Sequence, residues 1–380
     1  MTLTPTDVEA AVDARYAAGA QTAQPELCCP VDYDTKLLEV IPPEVLERDY
    51  GCGDPSRYLR PGETVLDLGS GGGKIAFIAA QVVGAEGHVI GVDLNADMLA
   101  LARSAQSPVA EAIGYHNVEF RRGRIQDLAT DLDALETWLD GHPVHDLATL
   151  GALDAETARR RAEAPLVGDE SVDVVVSNCV LNLVATDHKA ALFAEIHRVL
   201  RRGGRAVISD IVSDTDVPAS MQADPELWTG CCSGAFQEEA FLRAFEDAGF
   251  HGVTLASRDD VPWRVVDGIA FRSVTVIAYK GKQGPCLDHG QAVIYTGPWK
   301  SVEDDDGHVL RRGVPTAVCA KTFDLYGRDP YAGSFERLEP AEPVDPATAP
   351  PFSCSDDAPR PATTGLVRPA GGDPAPGQCC

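Results

Sequence analysis

An α/β fold, with a mostly parallel sheet covered by helices on both faces, is what the stretch from Glu63 to about Lys280 predicts. Three observations carry it. Short runs rich in β-branched residues recur at Thr64-Val65-Leu66, His88 to Val92, Val172 to Val176 and Arg205 to Ile208. They are nearly continuous in apolar character rather than alternating, the mark of strands buried on both faces. Between them lie amphipathic helical stretches at Lys74–Val83, Ala96–Ala105 and Lys189–Leu200, so strand and helix alternate along the chain.

Composition bounds the function. The chain has 380 residues, of which 44% are hydrophobic and 24% charged, enough for two or three domains with a sizeable core. No apolar run approaches the roughly 20 residues of a membrane helix, so no membrane partner is expected. Acidic residues outnumber basic ones 58 to 32, for a net charge of -26, which repels a phosphate backbone; nucleic acid is excluded as a general partner. The first 20 residues mix Asp7, Glu9, Asp13 and Arg15 with alanines and lack the apolar core of a secretory signal, which points to a cytoplasmic protein. In that reducing compartment eleven cysteines are better explained by soft-metal binding, redox cycling or burial than by a disulfide framework.

Taken in order, residues 1–60 form a cysteine-bearing leader, and 61–282 the α/β domain. Within it, about 128–168 is a charged, alanine- and leucine-rich insertion with helices near Thr130–Asp140 and Asp154–Ala164, read as a solvated cap. Strands near Val253-Thr254-Leu255, Ile269-Ala270-Phe271 and Val274 to Tyr279 end the domain. Residues 283–335 hold Val293-Ile294-Tyr295, Val309-Leu310 and Thr316-Ala317-Val318, broken by Thr296-Gly297-Pro298 and an acidic turn from Glu303 to Gly307, and are expected to form a small β-rich domain. Residues 336–380 carry ten of the 27 prolines and almost no apolar periodicity, so a flexible, disordered tail ending in Cys379-Cys380 is expected.

The most informative segment is Val65-Leu66-Asp67-Leu68-Gly69-Ser70-Gly71-Gly72-Gly73-Lys74, a strand entering a helix through a glycine turn that lets a ligand approach the backbone. It lacks the Gly-Lys-Ser/Thr ending of a P-loop, and an acid two residues before the first glycine is unusual for a dinucleotide loop. The pattern Asp67-x-Gly69-x-Gly71-x-Gly73 resembles the first motif of class I S-adenosylmethionine-dependent methyltransferases, which have a Rossmann-like sheet. That resemblance implies that Asp67, Gly69, Ser70, Gly71 and Gly73 lie against the methionine part of the cofactor. It also implies that Asp93, ending the next strand twenty residues past Gly73, binds the ribose, and that Ile125 or Gln126 in Gly123-Arg124-Ile125-Gln126-Asp127 packs on the adenine.

The cysteines bear on the acceptor. Cys52 stands in Tyr50-Gly51-Cys52-Gly53. Cys179 follows the fourth strand in Ser177-Asn178-Cys179-Val180-Leu181-Asn182, where open α/β sheets place ligands. Cys231 and Cys232 stand in Trp228-Thr229-Gly230-Cys231-Cys232-Ser233-Gly234-Ala235, and Cys28 and Cys29 in the leader. Three thiolates from separate loops make a trigonal soft site suited to As(III). These contexts, with Tyr33 and Asn182-Leu183, are similar to those of the arsenite methyltransferase family over most of the chain. The resemblance implies that Cys179 and Cys231 hold arsenic directly, that Cys52 is the third thiol, and that Asn178 borders the cofactor. It also implies that Cys28 or Cys29 pairs with Cys52 in a disulfide during turnover, reduced by thioredoxin or a small thiol. No structural metal is expected: zinc knuckles need close Cys-x2–4-Cys pairs, which are missing. Cys232, Cys286, Cys319 and Cys354 read as packing residues. The alternatives are a methyltransferase acting on another small molecule or metalloid, and a soft-metal sensor without turnover.

Overall fold

The computed structural model describes residues 4–24 and 31–353 and the backbone of 366–367. Cys28 and Cys29, Cys354 and the terminal Cys379-Cys380 lie outside the described residues. The chain forms two compact units, residues 1–280 and 281–380. The leader does not stand apart from the sheet domain; both belong to the first unit.

That unit begins with helix α1 (Pro5–Gln21), whose start is set by a capping box in which Thr4 and Asp7 exchange hydrogen bonds, with Pro5 preset for the first turn. Short helices α2 (Thr35–Leu38) and α3 (Pro43–Glu47) follow. The α/β alternation then runs β1 (Thr64–Leu68), α4 (Lys74–Val83), β2 (His88–Asp93), α5 (Ala96–Ile113), β3 (Val118–Arg122), α6 (Leu132–Gly141), α7 (Leu147–Glu163), β4 (Val172–Asn178), α8 (Lys189–Val199) and β5 (Leu200–Ser213). It closes with α9 (Ala219–Gln222), α10 (Pro225–Thr229), β6 (Phe236–Gln237), α11 (Glu238–Asp247), β7 (His251–Arg258), β8 (Arg264–Val266) and β9 (Ile269–Tyr279).

The strands form one nine-stranded sheet in the order β3-β2-β1-β4-β5-β9-β7, with β6 pairing β5 and β8 pairing β9. The pairs β2–β3, β1–β2, β1–β4 and β4–β5 are parallel, while β9 pairs antiparallel with β5 and β7. Val65, Leu66, Val174, Val175, Val176 and Val207 are all fully buried, as the unbroken apolar runs predict for strands covered on both faces. The order reverses between β1 and β4, so the carboxyl ends of these strands open a crevice there. Both insertion helices, α6 and α7, bury no side chain, as befits their charged sequence.

The second unit contains β10 (Ala292–Tyr295), β11 (Ser301–Glu303), β12 (Val309–Arg311), β13 (Pro315–Ala317), helix α12 (Ala320–Leu325), β14 (Phe335–Pro340) and β15 (Leu366–Val367). Strands β13-β10-β14-β15 form an antiparallel sheet over a core of Val293, Tyr295, Val318, Phe323 and Tyr326, and β11–β12 is a hairpin. Here the expectation of a tail from residue 336 is corrected. Residues 335–338 pair along β10 and 339–340 with β15, with the Phe335 ring 5.7 Å from Tyr295 and stacked at 4.2 Å on Tyr326. The segment Phe-Glu-Arg-Leu-Glu-Pro carries little apolar signal because its burial is only partial.

Candidate active site

At the carboxyl end of β1 the chain turns through Gly69, Gly71 and Gly73, all with positive φ, before α4 begins. A Cβ on Gly69 would lie 2.3 Å from Val180 Cγ1, so only glycine lets this loop meet the turn after β4. A Cβ on Gly71 would meet nothing within 4 Å, because that position faces a cleft enclosing about 1120 Å³, its open mouth included. The Asp93 carboxylate accepts from Gly71 N at 2.8 Å and Asn95 N at 2.8 Å, tying the glycine loop to the start of α5. Desolvation still raises its pKa against these hydrogen bonds.

Asp67, Ser70, Ile125, Gln126 and Asn178 also line the cleft. Asp67 is 2% exposed, and burial, with the negative charges of Asp49 and Asp93, pushes its carboxyl up to about 8. Its Oδ2 and the Ser70 Oγ are buried without a protein hydrogen-bond partner. Orphaned polar atoms beside an open glycine loop fit a polar, cationic ligand that supplies the missing bonds, and the methionine end of S-adenosylmethionine is such a ligand. Helix α1 forms one wall: Glu9 pairs with Arg124 at 2.6 Å, and Asn95 Nδ2 donates to Asp13 Oδ1 at 2.8 Å.

The cysteines meet where this cleft reaches β4. Cys179 lines the cleft, and its Sγ, the Cys52 Sγ and a carboxylate oxygen of Asp210 lie within 4.8 Å of one another. Cys231 Sγ donates to the Cys179 carbonyl at 3.4 Å, and the Cys179 and Cys231 thiols are within hydrogen-bonding reach. Thus three thiols from the leader, the turn after β4 and the turn after α10 share one buried spot. Cys179 and Cys231 both have left-handed backbones, with φ of 65° and 61°, a conformation that costs a non-glycine residue about 1–2 kcal/mol. Among the described residues only Glu170 and Asp267 share that feature without being glycine.

Local hydrogen bonds hold each thiol. Asn178 Oδ1 accepts from Cys52 N at 2.9 Å and Gly53 N at 3.0 Å, while its Nδ2 donates to Gly53 O at 2.8 Å and Tyr33 OH at 3.1 Å. The amide is thereby filled, so Asn178 borders the cleft but directs its side chain to the Cys52 loop. A Cβ on Gly51 would come within 2.1 Å of Asn178 Nδ2, and one on Gly53 within 2.6 Å of Ser209 Cβ, which explains the glycines that flank Cys52. Behind Cys231, Ser233 Oγ donates to Met221 O at 2.7 Å and Lys189 Nζ donates to Gly234 O.

Cys179 and Cys231 are held protonated. The neighbouring Cys231 pulls the Cys179 pKa down, but the Cys52 sulfur and burial outweigh it and carry the Cys179 thiol well above its usual range. Cys179 and burial likewise push Cys231 up. Cys232 is fully buried in an apolar cluster with Ile211, Met221 and Phe271, and burial lifts it to about 11. Cys319 caps α12, its Sγ accepting from Thr322 N at 3.5 Å.

Sequence reasoning missed two groups. Asp210, in the last third of β5, is fully buried beside the thiols; burial raises it to about 6, moderated by the N–H donors that face it and by the Lys189 charge. An acid set inside an otherwise apolar stretch of strand was the only available signal. Tyr16 of α1 lines the cleft with its hydroxyl in hydrogen-bonding reach of Cys231, and nothing in its sequence context marks it.

Fold and cleft together define a class I S-adenosylmethionine-dependent methyltransferase, with a thiol cluster bordering the cleft. A family profile described as a methyltransferase domain matches residues 59–249, and one described as a domain of unknown function matches 282–366. An arsenite methyltransferase of Aquipseudomonas alcaligenes is 32% identical across 79% of this chain and 80% of its own. One from Mus musculus is 27% identical across 80% and 74%. The crystal structure of an arsenic (III) S-adenosylmethionine methyltransferase from Chlamydomonas reinhardtii superposes with a TM-score of 0.54 at 27% identity, covering 86% of this chain and all of that one. The chain belongs to the arsenite methyltransferase family.

Proposed function

We propose that Cys52, Cys179 and Cys231 hold the trivalent arsenic in the S-adenosylmethionine-dependent methylation of arsenite that this chain carries out. The observation that supports this most is the place of Cys179, which borders both the glycine-loop cleft and the thiol cluster. Protonated thiols suit arsenous acid as substrate: each S–H replaces one As–OH, the proton leaves with the hydroxide as water, and no net charge enters the buried site. The sulfurs then fix arsenic with its lone pair facing the cleft, and alignment supplies much of the rate.

S-adenosylmethionine, when bound, supplies a methyl group on a sulfonium leaving group. Asp67, Ser70 and the loop Gly69 to Gly73 receive its methionine end in this reading, Asp93 its ribose, and Ile125 and Gln126 its adenine. A leader cysteine, Cys28 or Cys29, forms a disulfide with Cys52 during turnover, the two electrons returning the methylated arsenic from the pentavalent to the trivalent level, and thioredoxin or a small thiol then reduces the disulfide. The free thiols Cys179, Cys231, Cys232 and Cys319 accord with a reducing, cytoplasmic setting; among the described residues no helix is long and apolar enough to cross a membrane.

The test is S-adenosylhomocysteine formation with arsenite and excess thiol, comparing the wild type with Cys179→Ser and Cys231→Ser under matched melting controls. Turnover lost in both variants supports thiol-bound arsenic as acceptor. Turnover retained in either would move the acceptor elsewhere.

A further inference from the structure

Methyl transfer to arsenic moves charge. The arsenic lone pair forms the As–C bond as the C–S bond of the sulfonium breaks, and the electron pair of that bond stays on the departing sulfur. The transferred unit is formally a methyl cation, so arsenic is oxidised from the trivalent to the pentavalent level and the positive charge passes from sulfur to the arsenic centre. A group that stabilises this step must place negative charge beside arsenic, in a site from which water is excluded.

Among the described residues Asp210 is such a group. Asp210 is fully buried, and a carboxylate oxygen lies within 4.8 Å of the Cys52 and Cys179 sulfurs. Its hydrogen-bond partners are neutral: Oδ1 accepts from Asn182 Nδ2 and Ile211 N, each at 2.8 Å, and Oδ2 from Leu181 N at 2.9 Å. These bonds fix the carboxylate without cancelling its charge. Lys189, the nearby buried cation, interacts with Asp210 through space and favours its ionised form, while its Nζ donates to Gly234 O and lies 4.0 Å from the centre of the Phe236 ring. We propose that the Asp210 carboxylate stabilises the positive charge that develops on thiolate-held arsenic as the methyl group arrives.

Bound trivalent arsenic with three thiolates is neutral, so Asp210 has little to hold in the ground state and more in the transition state. That difference is what accelerates a step, and it also separates this role from a structural one. The inference rests on the function proposed above, and the experiment keeps the two apart.

The experiment compares Asp210→Asn with the wild type at pH 8. Arsenite binding is read from the thiolate–arsenic charge-transfer absorbance, cofactor affinity by calorimetry, and methyl transfer in a single turnover. Both affinities are expected within threefold of wild type, while the single-turnover rate falls about 100-fold, equivalent to about 2.7 kcal/mol. Asp210→Glu, which restores the charge, should recover at least tenfold of that loss. Asp210→Ser serves as the neutral variant if Asp210→Asn melts early. A neutral variant that transfers methyl within fivefold of wild type overturns the proposal, as does a rate loss matched by an equal loss of arsenite affinity. No turnover by the wild type would sink the methylation reading itself.

Discussion

Asn178 makes four hydrogen bonds with one amide, and three of them end on Cys52 and Gly53. Asn178→Ala should remove the side-chain acceptor of the Cys52 and Gly53 N–H groups, at a cost of about 1–3 kcal/mol. It should also free the Cys52 loop, so that X-ray absorption of bound arsenic reports two sulfur neighbours instead of three; three retained sulfurs would show that the loop holds itself. Asp67 gives a pH signature. Its folded value near 8 lies above the ordinary 3.8, so the folded state binds the proton more tightly. The associated stability is fully present below about pH 4 and is lost as pH rises through 8. Melting curves of the cofactor-free protein from pH 5.5 to 9 should fall more steeply for the wild type than for Asp67→Asn; equal slopes would remove Asp67 as the source.

Helix α8 packs on α11 through an aromatic cluster in which Phe193 meets Phe245 at 4.9 Å and Phe236 at 5.9 Å between ring centres. Phe236 also lies under Lys189, which holds the Cys231 turn through Gly234. Phe193→Ala should cost about 3–5 kcal/mol in urea unfolding and also raise the arsenite dissociation constant. An unchanged constant would mean that the Cys231 turn is braced without this cluster. At this scale the sheet was legible because β1, β2, β4 and β5 are wrapped on both faces and read as solid apolar runs. Strand β14 was not, since its six residues are all only partly buried and half of them are charged. The cysteine loops were legible from their residues and their resemblance to a family. Asp210 and Tyr16 were not, because only the packing of β5 and α1 brings them to the thiols.

Each unit carries its own core. The clusters around Leu66, Phe77 and Cys179 draw only on residues before 281, and the cluster around Tyr295 only on residues after it. A chain ending at Lys280 should therefore fold and bind S-adenosylmethionine within threefold of the full chain by calorimetry. A protein that fails to fold would show that the first unit depends on the second.

The left-handed backbones of Cys179 and Cys231 set heredity against chemistry. Glycine is the one replacement that relaxes such a turn, and it deletes the sulfur in the same stroke. A population grown hot and without arsenite should therefore accumulate glycine at these two codons ahead of other changes in the cleft, gaining heat tolerance as it forgets the poison; sequencing such a selection would show whether it does. On that expectation, continued exposure would be what keeps the molecule less stable than its own fold permits.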